Sequence, residues 1–177
     1  MRVDDALRTS RAGVYAAGDV TAGPGFVYVA AAGGRLAAEN ALGGTDRPLD
    51  LSVVPRVVFT SPQLGAVGLT EAAARHRDHA VQVGRLPLEH VPRAVVTHDR
   101  RGLVKIIAEE RTGRLLGFHA VGAGAGELLG EAALALRLDA TVQQLVETLH
   151  PYLTWVEAVK LGAQMVEGDV AKLSCCA

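Results

Sequence analysis

The chain has 177 residues and a formal net charge of −1, from 18 basic and 19 acidic side chains. Its 49% hydrophobic content is enough to pack one domain or one and a half, and too high for a disordered chain. With no basic block, no arginine–aromatic stripe and no bilayer-length apolar run, neither nucleic acid nor a membrane is expected as a partner.

At the start, "MRVDDALRTSRAGVYAAGD" places Asp4 and Asp5 where a signal peptide wants a basic and then an apolar region, so a cytoplasmic location is expected. "GVYAAGD" (13–19) reads as a short apolar strand running into Gly18-Asp19, and "FVYVAAAGGRLAAENALGG" (26–44) as a helix closed by Gly43 and Gly44. One strand and one helix cannot bury their own faces, so this stretch reads as the tail of a larger unit. Asp19 would stand at the carboxyl edge of a sheet, where ligands of open α/β folds sit, ready to accept from a sugar or ribityl hydroxyl. A plain N-cap is the other reading, and both stay open.

A proline-marked polar connection, "TDRPLDLSVVP", sets a domain boundary near Leu51, dividing the chain into 1–50 and 51–177. Beyond it, "VVFTSPQLGAVGL" predicts two short strands broken at Ser61-Pro62. Thr70 caps a small helix, "EAAARH", and "AVQVGRLPL" gives a further strand. "GLVKIIAE" and "RLLGFHAVG", joined through "ERTG", form a hairpin with Gly113 in the turn. Leu129, Ala132, Ala133 and Leu136 make one helical stripe, and Val156, Val159, Ala163 and Val166 another. Strands followed by helices, without regular βαβ alternation, predict an α+β layer.

"GAGAGE" (122–127) invites a dinucleotide-binding reading. Its spacing is G-x-G-x-G, however, and no acidic residue closes a following strand, so a tight strand-to-helix turn is favoured. In "HPYLTWVE" (150–157), Pro151 stops one helical segment, Thr154 is placed to cap the next, and the loop between displays His150 and Tyr152. A loop histidine can act as a general acid or base, although a lone one more often does not. His76, His79, His90, His98 and His119 share no metal-ligand spacing.

The two cysteines, Cys175 and Cys176, are adjacent in the terminal "KLSCCA". A disulfide between neighbours closes only a strained ring, so a structural staple is not expected. A tail thiol pair suits a soft, thiophilic cation, bound as thiolates. The bland alternative is a dispensable tail.

"VDDALRTSRAGVYAAGDVTAGPGFVYVAAAGGRLAA", the strand-rich middle, "HPYLTWVEAVKLGAQ" and "LSCCA" together resemble the C-terminal third of the mercuric reductases. These form a branch of the flavin-dependent pyridine nucleotide-disulfide oxidoreductase family. "YAAGD" alone is shared by the wider family, whereas "FVYVAAA", "PYLT" and the cysteine pair point to the mercury branch.

The resemblance implies an antiparallel sheet with helices over 51–177, the family's dimerisation domain. Before it, 1–50 would be the last strand and helix of an FAD-binding domain. Asp19, with Gly18 beside it, would contact the flavin's ribityl chain, and the backbone of Val27 would lie near the flavin. Cys175 and Cys176 would be the metal ligands that capture Hg(II) and pass it to a buried redox pair on the partner subunit of a homodimer. Tyr152 would line the metal's path, and NADPH would supply electrons through FAD.

Two departures carry expectations of their own. The chain has no G-x-G-x-x-G, no nicotinamide-binding half and no C-x4-C, so those parts are expected before Met1 and the chain alone is expected to be inactive. Disulfide-cleaving members carry H-P-x-x-x-E, whose carboxylate orients the histidine. Here Trp155 stands at that position and Glu157 lies two residues on, which predicts an unpartnered His150 and favours metal transfer. The alternatives are a non-catalytic dimerisation or metal-carrier module, and a fragment of a disulfide reductase of the glutathione or lipoamide type.

Overall fold

The protein was analysed as a computed structural model that describes residues 1–168; Cys175 and Cys176 lie outside the described residues. The chain divides into two compact units, Met1–Ser52 and the residues from Val53 onward.

In the first unit, α1 (Val27–Gly43) follows an extended Phe26 and ends on Gly44, whose left-handed backbone lets its N–H reach the Asn40 carbonyl at 3.0 Å. Val29, Gly33, Leu36, Ala37 and Asn40 form its buried stripe, and Leu7, Leu36 and Ala37 pack with Val3, Tyr15, Ala17 and Leu49. The strand expected over 13–19 is not formed. Tyr15 makes an isolated antiparallel bridge to Arg8, and residues 7–16 double back, with Thr9 N–H donating to Val14 O and Ala16 N–H to Leu7 O. A ladder needs successive neighbours on a second strand, and among the described residues only this short return of the chain supplies any.

Asn40 is 1% exposed and spends all four of its hydrogen-bonding positions. Its Nδ2 donates to Ala6 O (3.1 Å) and Arg47 O (2.9 Å), while Oδ1 accepts from Thr45 Oγ1 (2.8 Å) and Arg47 N–H (3.0 Å). One side chain thus ties α1 to the segments on either side of it. Asn40→Ala strands those backbone groups and is expected to cost this unit about 1–3 kcal/mol. Amide exchange along α1 should speed up roughly tenfold or more, and unchanged exchange would contradict the assignment.

The second unit is built on a five-stranded, fully antiparallel sheet in the order β1-β2-β5-β4-β3. The strands are β1 (Arg56–Val58), β2 (Gln63–Gly68), β3 (Val81–Pro87), β4 (Leu103–Glu109) and β5 (Leu115–Gly122). The predicted hairpin is β4–β5, with Ile106 opposite Phe118 and Gly113 in its turn at φ +68°. β5 is also the strand that pairs β2, with Val67 opposite Phe118, so the most apolar strand lies centrally.

Helices α4 (Ala125–Arg137) and α6 (Glu157–Gln164) cover one sheet face, α4 over β2 and β5 and α6 over β3 and β4. The core between them includes Val104, Ile106, Phe118, Leu128, Leu129, Ala132, Val159 and Leu161. On this side Leu129, Ala132, Val159 and Ala163 of the two predicted stripes are buried, and Ala133, Leu136, Val156 and Val166 are partly buried against them.

A smaller cluster of Ala74, Val81, Ile107 and Leu116 involves α2 (Glu71–His76), whose first turn is capped by Thr70 Oγ1 accepting from Ala73 N–H at 3.1 Å. Helix α5 (Val142–Glu147) opens on a reciprocal Thr141–Gln144 capping box. It ends three residues before the predicted stop at His150-Pro151. A five-residue helix, α3 (Pro92–Val96), was not anticipated, being too short to show a periodic stripe.

Candidate functional site

In the first unit, the chain reaches Asp19 through Gly18, at φ +77° and ψ −158°, a conformation that L side chains rarely adopt. A Cβ at Gly18 would also lie 3.1 Å from the Ala30 Cβ, so glycine alone lets this turn close onto α1. Asp19 opens a single 3-10 turn (Asp19–Thr21) rather than ending a strand, and Thr21 Oγ1 donates to Gly18 O at 2.7 Å.

The Asp19 carboxylate is exposed, and a Cβ placed on Gly25 would meet its Oδ1 at 3.6 Å. Val27, the first residue of α1, is 86% exposed, and Phe26 stacks on Tyr28 with ring centroids 5.2 Å apart. Phe26, at the N-cap position of the helix, provides no side-chain cap. Gly18, Asp19 and Val27 thus gather around one turn at the start of α1. An exposed carboxylate beside a glycine-lined approach at the start of a helix is suited to accept from the hydroxyls of a polar ligand.

In the second unit, the loop between α5 and α6 carries His150 and Tyr152. Tyr152 is 61% exposed and Leu149 93%. The His150 ring turns inward, its side chain only 3% exposed. Nδ1 lies 2.9 Å from Thr148 O and Nε2 lies 2.7 Å from Glu131 Oε1 on α4. The expectation of an unpartnered His150 is therefore corrected: its carboxylate partner comes from Glu131, 19 residues earlier, not from 155 or 157. No spacing within the loop motif could reveal a partner on another helix. The available signal was an acid on the edge of an apolar stripe, three residues after the buried Leu128 and four before the buried Ala135.

Trp155 has a packing role. It is partly buried against the main core, and a Cβ on Gly124 would come within 2.9 Å of its Cδ1. Gly124 is left-handed (φ +71°) and directly precedes α4. "GAGAGE" is thus a strand-to-helix turn whose glycine admits the Trp155 ring, not a nucleotide loop.

Thr154 does not cap α6, contrary to expectation. Its hydroxyl donates to Pro151 O at 2.7 Å within the loop, and Val156 occupies the N-cap position. Glu157 is 5% exposed, and its Oε2 is a buried atom without a hydrogen-bond partner. Burial pushes its carboxyl above the usual range, opposed by a hydrogen bond from the Leu153 backbone and by the charges of Lys160 and His150. The loop is thus held from beneath by two carboxylates, one from α4 and one from α6.

Of the remaining histidines, His79 lies 3.3 Å from Glu109 and His119 lies 3.0 Å from Leu69 O. No group of three or more His, Cys, Asp or Glu side chains that could hold a metal ion occurs among the described residues. No helix among them is long and apolar enough to cross a membrane.

The family model for the pyridine nucleotide-disulphide oxidoreductase dimerisation domain matches residues 54–163. The chain is 54% identical over 175 residues to a mercuric reductase of Streptomyces lividans, covering 99% of this chain and 37% of that protein. Mercuric reductases of Shigella flexneri (51%) and Bacillus cereus (47%) match over the same length, covering 31% and 28% of those proteins. The chain therefore spans less than two fifths of these relatives.

Among solved structures, the HOCl-induced flavoprotein disulfide reductase RclA from Escherichia coli superposes with a TM-score of 0.87 at 30% identity. The match covers 93% of this chain and 38% of that one. LpdA from Mycobacterium tuberculosis gives 0.83 at 35%, covering 92% and 35%. The antiparallel sheet with helices on it is the dimerisation-domain fold of the flavoprotein disulfide reductases.

Proposed function

We propose that this chain, which belongs to the pyridine nucleotide-disulphide oxidoreductase family, serves as the C-terminal part of an FAD- and NADPH-dependent mercury(II) reductase. The observation that carries the reading is the 54% identity to the Streptomyces lividans mercuric reductase along 99% of the chain. In this role the residues from 51 onward pair two subunits, and the first fifty form one edge of the flavin site.

Mercury(II) arrives as a bis-thiolate complex. The thiols of Cys175 and Cys176 each give up a proton and form an S–Hg bond, and the two displaced ligand thiolates take up those protons, so charge and atoms balance. Exchange from sulfur to sulfur moves a soft ion without releasing it to water. From the tail the metal passes to a dithiol on the partner subunit, with the exposed Tyr152 phenol beside its path. Gly18, Asp19 and Val27 would hold the flavin edge, Asp19 by accepting from ribityl hydroxyls. When bound there, FAD with NADPH as its reductant would supply the two electrons needed to reduce Hg(II) to Hg(0).

The test joins this chain to the preceding portion of the Streptomyces lividans relative and follows NADPH oxidation. Hg(II) should drive turnover with release of mercury vapour. Oxidation driven by glutathione disulfide or lipoamide, but not by Hg(II), would reject the mercury reading in favour of an ordinary disulfide reductase.

A further inference from the structure

Glu131 belongs to no part of the proposed metal path, yet it makes the shortest contact of the inward-facing His150 ring, at 2.7 Å. The hydrogen-bonding inventory around that ring is restrictive. A backbone carbonyl only accepts, so Nδ1, 2.9 Å from Thr148 O, must carry a proton and donate it. Nε2 and Glu131 Oε1 both bear lone pairs, and at their separation a proton must lie between them. A separation of 2.7 Å falls in the range of a charge-assisted N–H···O bond to a carboxylate, the strongest arrangement open to this pair, with Nε2 as the donor. With the side chain 3% exposed, water has little access to compete for either position.

We propose that Glu131 is a positioning residue: with Thr148 O it takes both N–H groups of a doubly protonated His150 and pins the Tyr152 loop to α4. The charged ring then lies against Glu131 of α4 and, like Lys160, acts electrostatically on the Glu157 carboxylate of α6. Neither nitrogen is left to give a proton to, or take one from, a ligand thiol. His150 is a clamp and not an acid–base group, even though a carboxylate partners it. The separation from disulfide-cleaving relatives therefore survives the correction on different grounds. It lies in the occupation of both ring nitrogens and not in a missing carboxylate. The link to metal transfer rests on the reading of Tyr152 given above; the clamp itself does not.

The test uses the full chain labelled with 15N-histidine, His150 being assigned by its absence in H150Q. At neutral pH both ring nitrogens of His150 should carry protons. Glu131→Gln keeps the side-chain shape but removes the counter-charge. The resonance of a bare ring nitrogen should then appear, and amide exchange through the loop should speed up roughly tenfold or more.

A bare nitrogen in the unaltered chain, or a His150 spectrum unchanged by E131Q, would overturn the proposal. If E131Q does not fold, the spectrum of the unaltered chain decides alone. Hg(II) stoichiometry, titrated on the same samples, reports the tail cysteines separately. Its loss would sink the mercury reading while leaving the clamp standing.

Discussion

Replacing both tail cysteines, Cys175→Ala with Cys176→Ala, is expected to abolish stoichiometric Hg(II) binding by the chain. They are its only thiols. A soft d10 ion prefers thiolate sulfur to imidazole nitrogen or carboxylate oxygen. No alternative cluster of three or more ligating side chains exists among the described residues, and two of the histidines already lie against Glu109 and Leu69 O.

The reduced chain should therefore take up one equivalent of Hg(II) against a thiol-competing dye, and the double variant none. Either single variant should keep a one-sulfur complex that excess competitor thiol strips away. That outcome would distinguish a chelating pair from two independent thiols. Undiminished uptake by the double variant would remove the basis for metal capture by the tail.

How much of this was legible in the sequence depends on how local each determinant is. The β4–β5 hairpin could be read because its apolar runs and the Gly113 turn are contiguous. The α2 cap could be read because Thr70 and Ala73 are near neighbours. The segment over 13–19 is as apolar as a strand, but a strand is defined by its ladder, and here only the Arg8–Tyr15 bridge forms. Composition cannot supply the missing neighbours.

The same limit governs the loop. His150 and Tyr152 stand out from their setting beside Pro151. The Glu131 contact depends on α4 returning past the loop, and the loop itself passes through an unusual positive φ at Leu153 (+63°). Thr154 reads as a cap because threonine commonly is one, yet α6 begins only at Glu157, with Val156 at the N-cap position. Trp155 stands where the H-P-x-x-x-E pattern calls for a carboxylate. Its packing over Gly124 becomes intelligible only when two distant glycine and tryptophan positions meet.

Phe118→Ala is expected to destabilise the second unit by about 3–5 kcal/mol, the range for deleting a buried aromatic ring from a core. Phe118 is 0% exposed and is the largest fully buried side chain described. It sits on the central strand β5 between Val67 of β2 and Ile106 of β4, in the core beneath α4 and α6. No turn or terminus borders the position, so collapse around the cavity would have to draw in the strands and helices themselves.

Against a total of about 5–15 kcal/mol for a domain, that loss leaves a marginal fold. Phe118→Leu, which returns much of the volume, should cost clearly less. Denaturant titration followed by the single tryptophan reads the effect directly, since Trp155 is partly buried against the same core. Because β5 leads into the Gly124 turn and α4 carries Glu131, loosening at Phe118 should also release the His150 contact before global unfolding. Equal stability of the Ala variant and the unaltered chain would mean that the sheet is not held by this core. The helices that place the loop would then owe their position to something else.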